Sequence, residues 1–349
     1  VLGHRDDVWL VGGAVRDLML GREPRELDLV VEGDPAAVAE ALGARVTDSH
    51  ERFGTLRAQT DEGTYDIAQA RTESYTRPGA LPDVAPATLR EDLRRRDLTV
   101  NAIALALDGE LSAVPDALED LGAKRLRVLH ERSFLDDPTR LWRTVRYAAR
   151  LGFEIEPHTE RWAREAVSGG ALETVSPERI GAEVRLALSE PDPVAVLDLA
   201  SGLGLAELDV DRARVEATLA LLPEDGREDL AILGTVLRGP WAMGLTAVEQ
   251  HVLDRCRRLR MPDTAAPPSA RARALRGEPV EAVAVAGGPV ARWWLEQGRH
   301  VRLAISGADL LAAGLAEGPD LGDRLSRTLE RKLDGEVSGR EAELAAALE

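Results

Sequence analysis

Leu10-Val11-Gly12-Gly13-Ala14-Val15-Arg16-Asp17, followed shortly by Glu26-Leu27-Asp28-Leu29-Val30-Val31, is the stretch on which the reading of this chain turns. It places a glycine turn beside an apolar run carrying two acids. A strand points successive side chains to opposite faces, so Glu26 and Asp28 project together while Leu27 and Leu29 enter a core. Two carboxylates on one rigid edge suit divalent metal ions. Gly12 and Gly13 let backbone amides approach an anion, and Arg16 adds a fixed positive charge one turn later. Triphosphate, metal and nucleotidyl transfer form the joint reading. A plainer one stays open, in which Gly12-Gly13 is only a tight turn and the acids sit on a solvated strand edge. Two familiar nucleotide sites are excluded, because neither G-x-x-x-x-G-K-[ST] nor a G-x-G-x-x-G after a strand is present.

With 349 residues the chain has room for two or more cores. Its one cysteine, Cys256, rules out a disulfide framework and a cysteine-rich zinc site. No leader-like N-terminal pattern and no bilayer-length apolar run is evident, so a cytoplasmic protein is expected. The net charge of −17 argues against nucleic acid only at first sight, since phosphate contacts need a local basic strip and not a basic protein. The positive charge is almost all arginine, Lys124 and Lys332 being the only lysines, and arginine clusters at 90–96, 140–164 and 255–276. Its planar fork binds phosphates and base edges bidentately.

Short β-rich runs (Val8 to Val11, Leu27 to Val31, Thr64 to Ala68) alternate with helical ones such as Ala36 to Leu42 over the first ~125 residues, an α+β or α/β pattern. From about Leu126 onward helical periodicity takes over. Breaks fall at Ser189 to Pro193, Pro223 to Gly226 and Thr264 to Ser269.

Three further groups carry chemistry. Asp66, in the strand-like Tyr65-Asp66-Ile67-Ala68, is either an edge carboxylate or a third acid able to bind metal or take a proton from an attacking hydroxyl. Arg95-Arg96-Asp97-Leu98-Thr99-Val100-Asn101 leads into the apolar run Ala102 to Leu107; Arg96 suits a phosphate, Asp97 and Asn101 suit ribose hydroxyls, and a salt-bridged element start is the alternative. Asp136-Asp137-Pro138-Thr139-Arg140 reads as a helix start with Asp136 as its cap, and Asp137, Arg140, Arg143 and Arg146 recur every third residue up the helix. A carboxylate accepting from an exocyclic amine, beside a guanidinium donating to a ring acceptor, matches the edges of cytosine and adenine and not those of uracil or guanine. A solvated arginine stripe is the competing reading. The six histidines form no H-x-x-x-H or His-Asp doublet.

In this order the motifs resemble those of the class II tRNA nucleotidyltransferases, the bacterial CCA-adding enzymes and poly(A) polymerases of the polymerase-β-like superfamily. Gly12-Gly13-x-x-Arg16-Asp17 with Glu26-Leu27-Asp28-Leu29 looks like the catalytic motif, and Arg95 to Ala102 like the ribose motif R-R-D-F-T-I-N-A. Asp136-Asp137-x-x-Arg140 resembles the templating motif E-D-x-x-R, with Arg143 and Arg146 where the family has further nucleotide contacts and Asp66 where it has a third acid. Asp116 to Leu121 resembles the following hinge at Asp120-Leu121 only, and Ile305 to Leu310 with Gly314, Gly318-Pro319 and Gly322 resembles the tail that docks on the tRNA elbow. The family's first acid is aspartate where this chain has Glu26, whose extra methylene shifts the oxygens by ~1.5 Å.

The resemblance implies a nucleotidyltransferase head of small mixed sheet with helices (1–125), then an all-helical neck carrying the base-selecting motif (126–190), body (191–265) and tRNA-binding tail (266–349). It implies CTP and ATP as substrates, two Mg²⁺ ions held by Glu26 and Asp28, assistance from Asp66, a triphosphate held by Gly12, Gly13 and Arg16, and a tRNA gripped at acceptor 3′ end and elbow. No membrane partner is implied. CCA addition or addition of its terminal A is the main reading, a Pro/Gly-containing connection from Arg71 to Arg90 disfavouring CC-only addition. A poly(A) polymerase and a tRNA-binding relative weakened at Glu26 are the alternatives.

Overall fold

The computed structural model describes residues 5–24, 26–50, 53–239 and 244–349. The chain divides into two compact units, one running to Glu207 and including Gly244, the other from Leu208 onward.

The first unit begins β1 (Val8–Val11), α1 (Gly13–Met19), β2 (Leu27–Val31), α2 (Pro35–Ala41), β3 (Arg45–His50), β4 (Thr55–Gln59) and β5 (Thr64–Gln69). There follow a hairpin of β6 (Arg71–Ser74) and β7 (Asp83–Pro86), then α3 (Leu89–Arg94), a 3₁₀ turn at Thr99–Asn101, β8 (Ile103–Ala106), β9 (Leu111–Ala113) and α4 (Ala117–Gly122). Seven strands make one sheet in the order β3-β4-β5-β2-β1-β8-β9. Only β2 and β5 pair in parallel; the other neighbours are antiparallel, so the head is the mixed sheet expected.

Burial on both faces fixes β2. Leu29 and Val31 pack with Val38 and Ala39 of α2, while Val30 packs with Leu89 and Leu93 of α3. Asp28 shares the face of Val30 by alternation. In the parallel register Asp28 lies opposite Asp66 of β5. Two acids far apart in sequence thus stand side by side.

After the head come β10 (Arg125–Leu126), α5 (Ser133–Asp136), α6 (Thr139–Leu151), β11 (Glu154–Ile155), α7 (Pro157–Ser168), α8 (Pro177–Leu188) and α9 (Pro193–Leu203). The expectation of helices alone after Leu126 misses β11, which pairs in parallel with β10 over two residues, too few to show alternation. Helix α6 buries Leu141, Trp142, Val145 and Ala148, an apolar stripe at helical spacing, and stops at Gly152 in the left-handed region. Its start is capped by Asp137, whose Oδ1 accepts from the Thr139 amide at 3.1 Å. Asp136, the expected cap, instead closes α5. Helix α9 packs on α6 within the first unit, so the compact boundary falls after Glu207 and not at the Ser189 to Pro193 break.

The second unit is built of helices: α10 (Arg212–Leu219), α11 (Glu228–Val236), α12 (Ala247–Arg258), α13 (Pro268–Leu275), α14 (Val280–Ala286), α15 (Gly288–Glu296), α16 (Gly307–Ala312), α17 (Pro319–Leu333) and α18 (Arg340–Leu348). Helices α11, α12 and α14 pack together, and α16 to α18 enclose a small core around Ile305, Leu310 and Ala347. Among the described residues no helix is long and apolar enough to cross a membrane.

Candidate active site

Gly12 ends β1 with φ of +69°, a conformation that favours glycine, and a Cβ there would stand 2.8 Å from Nη1 of Arg96. The turn therefore brings bare backbone against the Arg-Arg-Asp motif. A cleft of about 300 Å³ opens at this point, lined by Gly12, Gly13, Asp28, Arg96, Asp97, Asn101, Asp137, Arg140 and Arg143, with Glu73, Arg95, Thr139, Tyr147 and Glu183 completing it. Nine residues singled out from three separate motifs meet in one place. A larger hollow, of about 1040 Å³, lies by Leu10, Leu29, Tyr65 and Leu105, and none of those nine lines it.

A chain of bonds ties the floor together. Arg16 is 2% exposed; its Nη1 donates to Asn101 Oδ1 at 2.5 Å and its Nε to Asp17 at 2.8 Å. Asn101 Nδ2 donates to Asp97 Oδ1 at 3.1 Å, and Arg143 Nε donates to Asp97 Oδ2 at 2.8 Å. Burial pushes the Asp97 carboxyl up, but Arg143, Asn101 and Arg140 overcome it and bring it down to about 2. Asp97 pulls the Arg143 guanidinium's pKa upward in return. Asp97 and Asn101 reach the cleft, whereas Arg16 supports it from below.

Asp92 holds the two arginines of the motif. This wholly buried carboxylate accepts from Arg95 Nη2 at 2.7 Å and Arg96 Nη2 at 3.0 Å. Sequence reading passed over it, although its spacing of three and four residues from Arg95 and Arg96 is the helical signature of such pairs. Asp120, in the hinge-like segment, is likewise buried and accepts from Thr99 Oγ1 at 2.8 Å and Arg127 Nε at 2.9 Å. Glu73 of β6 accepts from Arg95 Nη1 at 2.7 Å and from the Tyr75 hydroxyl at 2.9 Å. Asp120 falls in the one part of the hinge-like segment that matched, whereas Glu73 was not singled out, its link to the Arg-Arg-Asp motif running to another element.

The acids form a row across the sheet. Asp28, Asp66, Arg57 and Asp48 are successive register partners on β2, β5, β4 and β3. Burial pushes the Asp28 carboxyl up to about 6, with Glu26 and Asp66 adding repulsion and Arg96 and Arg143 opposing it. Both Asp66 oxygens are taken by Arg57, at 2.7 and 2.8 Å. Asp66 lines an adjoining crevice with Asp28 and Arg96, and Glu26, exposed just before β2, lines neither cavity. Among the described residues no group of three His, Cys, Asp or Glu side chains is arranged to hold a metal ion.

On α6, Arg140 is 6% exposed and donates to Ser133 Oγ and to the Arg95 carbonyl, both at 2.7 Å. Arg146 does not join it. At about 100° per residue a three-residue step falls ~60° short of a full turn, so Arg146 has rotated ~120° from Arg140. Its guanidinium is paired instead with Glu183 at 2.8 Å and Glu190 at 3.2 Å, so Arg146 does not itself line the cleft but holds Glu183, which does. Tyr147, between the guanidinium groups of Arg16, Arg143 and Arg150 at 5.1, 5.9 and 5.6 Å, is a cleft residue that sequence reading did not single out.

Residues 8–127 match the poly A polymerase head domain, and residues 152–208 match the probable RNA and SrmB-binding site of polymerase A. The chain belongs to the tRNA nucleotidyltransferase and poly(A) polymerase family. An A-adding tRNA nucleotidyltransferase of Geobacter sulfurreducens is 34% identical over 98% of this chain and 45% of its own length. A CC-adding tRNA nucleotidyltransferase of Deinococcus radiodurans is 41% identical over 59% of this chain and 56% of its own. The chain thus spans about half the length of these relatives. The structure of a CCA-adding enzyme in complex with ATP superimposes with a TM-score of 0.80 at 26% identity, covering 98% of this chain and 88% of that one.

Proposed function

We propose that this chain transfers nucleotides from CTP and ATP to the 3′ end of tRNA, completing CCA or adding its terminal A, with release of pyrophosphate. The observation that carries this reading is the meeting in one cleft of the Gly12-Gly13 turn, Asp28 and the Asp137/Arg140 acceptor and donor pair. Geobacter's A-adding enzyme, alike over nearly the whole of this chain, favours the terminal A.

In the reaction the 3′ hydroxyl oxygen of tRNA forms a bond to the α-phosphorus, the bond from that phosphorus to the bridging oxygen breaks, and pyrophosphate leaves with the electron pair. The hydroxyl proton passes to solvent or to a carboxylate of the acid row. Gly12, Gly13 and Arg96 receive the triphosphate, with Arg16 bracing Asn101 beneath them. Asp97 and Asn101 face the ribose. Asp137 and Arg140 read the base, accepting from the amine of cytosine or adenine and donating to its ring acceptor.

A donor set of carboxylate oxygens alone suits a hard divalent cation, and Mg²⁺ is commonly held by one or two carboxylates plus substrate phosphates. Glu26 and Asp28 would hold it. Bound there, Mg²⁺ supplies neutralisation of the charge that develops on the transferred phosphoryl group. Asp66 would assist the hydroxyl only once released from Arg57.

The test is incubation with Mg²⁺, tRNA ending before CCA or after CC, and each labelled nucleoside triphosphate. Extension by one to three residues is expected. Long A tails would make the protein a poly(A) polymerase, and tRNA binding without incorporation would refute catalysis.

A further inference from the structure

Asp137 is gripped on one oxygen only. Its Oδ1 accepts from the Thr139 amide at 3.1 Å, the Thr139 hydroxyl at 2.7 Å and Arg179 Nη2 at 2.9 Å, whereas none of the described residues donates to Oδ2. Arg179 comes from α8, remote in sequence from every motif. Its other terminal nitrogen, Nη1, donates to the Gly79 carbonyl at 2.8 Å.

Gly79 is a firm anchor for that second bond. It lies in the connection between β6 and β7 with φ of +69°, and a Cβ there would fall 2.2 Å from Thr174 Oγ1 and 2.7 Å from the Thr174 carbonyl oxygen. Its amide donates to the Leu135 carbonyl at 3.3 Å. The guanidinium is therefore fixed at both ends of its planar fork, and a fork so held is directional in a way a single ammonium is not.

We infer that Arg179 is a positioning residue for base selection: by occupying Oδ1 of Asp137 it leaves Oδ2 as the acceptor for the exocyclic amine of cytosine or adenine. Without Arg179 the carboxylate keeps only its local bonds to Thr139 and is free to turn. Arg140 does not hold the carboxylate in its place, since its own bonds run to Ser133 and to the Arg95 carbonyl. The inference rests on the nucleotidyl-transfer reading above and adds the residue that makes its selectivity geometric. The Arg179–Asp137 pair is partly solvated, with side chains 26% and 21% exposed, so its removal should cost little stability and leave function as the readout.

The variants are Arg179→Met, which keeps the stem without donors, and Arg179→Lys, which reaches one partner but not both. With tRNA ending before CCA or after CC, kcat/KM for CTP and ATP is compared with that for UTP and GTP. Charge-assisted hydrogen bonds of this kind correspond to about 10- to 100-fold, so Arg179→Met should lose about that much discrimination and Arg179→Lys should recover part of it. Calorimetric titration with CTP, ATP, UTP and GTP in the absence of tRNA gives the same comparison for a variant too slow to assay. Arg179→Met retaining the wild-type CTP-to-UTP and ATP-to-GTP ratios in both measurements overturns the inference alone. Wild-type protein that incorporates no nucleotide, or that takes all four equally, overturns the base-selecting reading and this inference with it.

Discussion

Replacing Asp92 with asparagine separates the scaffold of the cleft from its chemistry. Five donors converge on the Asp92 carboxylate: Nε and Nη2 of Arg95 at 2.9 and 2.7 Å, Nε and Nη2 of Arg96 at 3.3 and 3.0 Å, and the Arg71 amide at 3.3 Å. Asparagine keeps the shape and one acceptor oxygen, but it turns an NH₂ group toward one of the two guanidiniums and removes the charge both neutralise. Breaking a buried pair by altering one partner costs about 3–5 kcal/mol, and because Arg95 and Arg96 retain some exposure and can rehydrate, about 3 kcal/mol is expected. Urea unfolding at neutral pH, following the first transition, measures it.

The pH dependence gives an independent check of the sign. Burial pushes the Asp92 carboxyl up, but Arg96 and Arg95 more than reverse this, so its pKa is lower in the folded protein than in the unfolded chain. Its stabilisation is then complete above the ordinary aspartate value of about 3.9 and is lost as pH falls below it. The gap between wild type and Asp92→Asn should close in acid. Loosening Arg96 should also raise KM for the nucleotide by about tenfold, the loss of one charged hydrogen bond's worth of binding. An asparagine variant within about 0.5 kcal/mol of wild type at neutral pH, with unchanged KM, would refute the account, since that is the range of a neutral surface change.

Asp97→Asn should destabilise the first unit by about 2–3 kcal/mol near pH 7, because a carboxyl held at about 2 against ~3.9 unfolded contributes that much above pH ~4 and loses it on descent to pH ~2; equal thermal midpoints of variant and wild type at neutral pH would contradict this. Glu26→Asp shortens the acid by one methylene, and if oxygen placement limits turnover, single-turnover incorporation of labelled ATP should rise by about tenfold or more. No gain would show that Glu26 already reaches its station.

What could be read from the chain depended on how far each contact reached along it. Val8 to Val11 and Leu27 to Val31 were recognisable because burial imprints a run of apolar residues on the strand itself, and the bounds match. Asp137 and Arg140 were recognisable because one helical turn joins them. Arg146 shows the limit of the same local logic, since a three-residue repeat looks like a stripe whereas its drift carries Arg146 to Glu183 and Glu190. Arg179 left no trace in the sequence, because its partners Asp137 and Gly79 lie on other elements; Glu73 and Tyr147 have near neighbours in sequence, but their links to Arg95 and Arg16 run to other elements.

The acid row shows most sharply where sequence reading stops. That Asp66 belongs near Glu26 and Asp28 was an expectation from its strand-like setting, but a strand's neighbours are set by register, and register is decided by which face the whole sheet buries. Ile67 and Ala58 are buried at 0% exposure and pack with Leu29 and Val31, which locks β5 and β4 against β2 in one alignment. That alignment places Asp66 beside Asp28 and, one strand further, Arg57 beside Asp66. A sheet shifted by one residue would bury the acids and expose Ile67, so the core that stabilises the head is also what assembles the carboxylates. Arg57 follows from the same register: repelled acids on neighbouring inner strands are tolerable because the next strand supplies a cation, and Asp66 stands between Asp28 and Arg57.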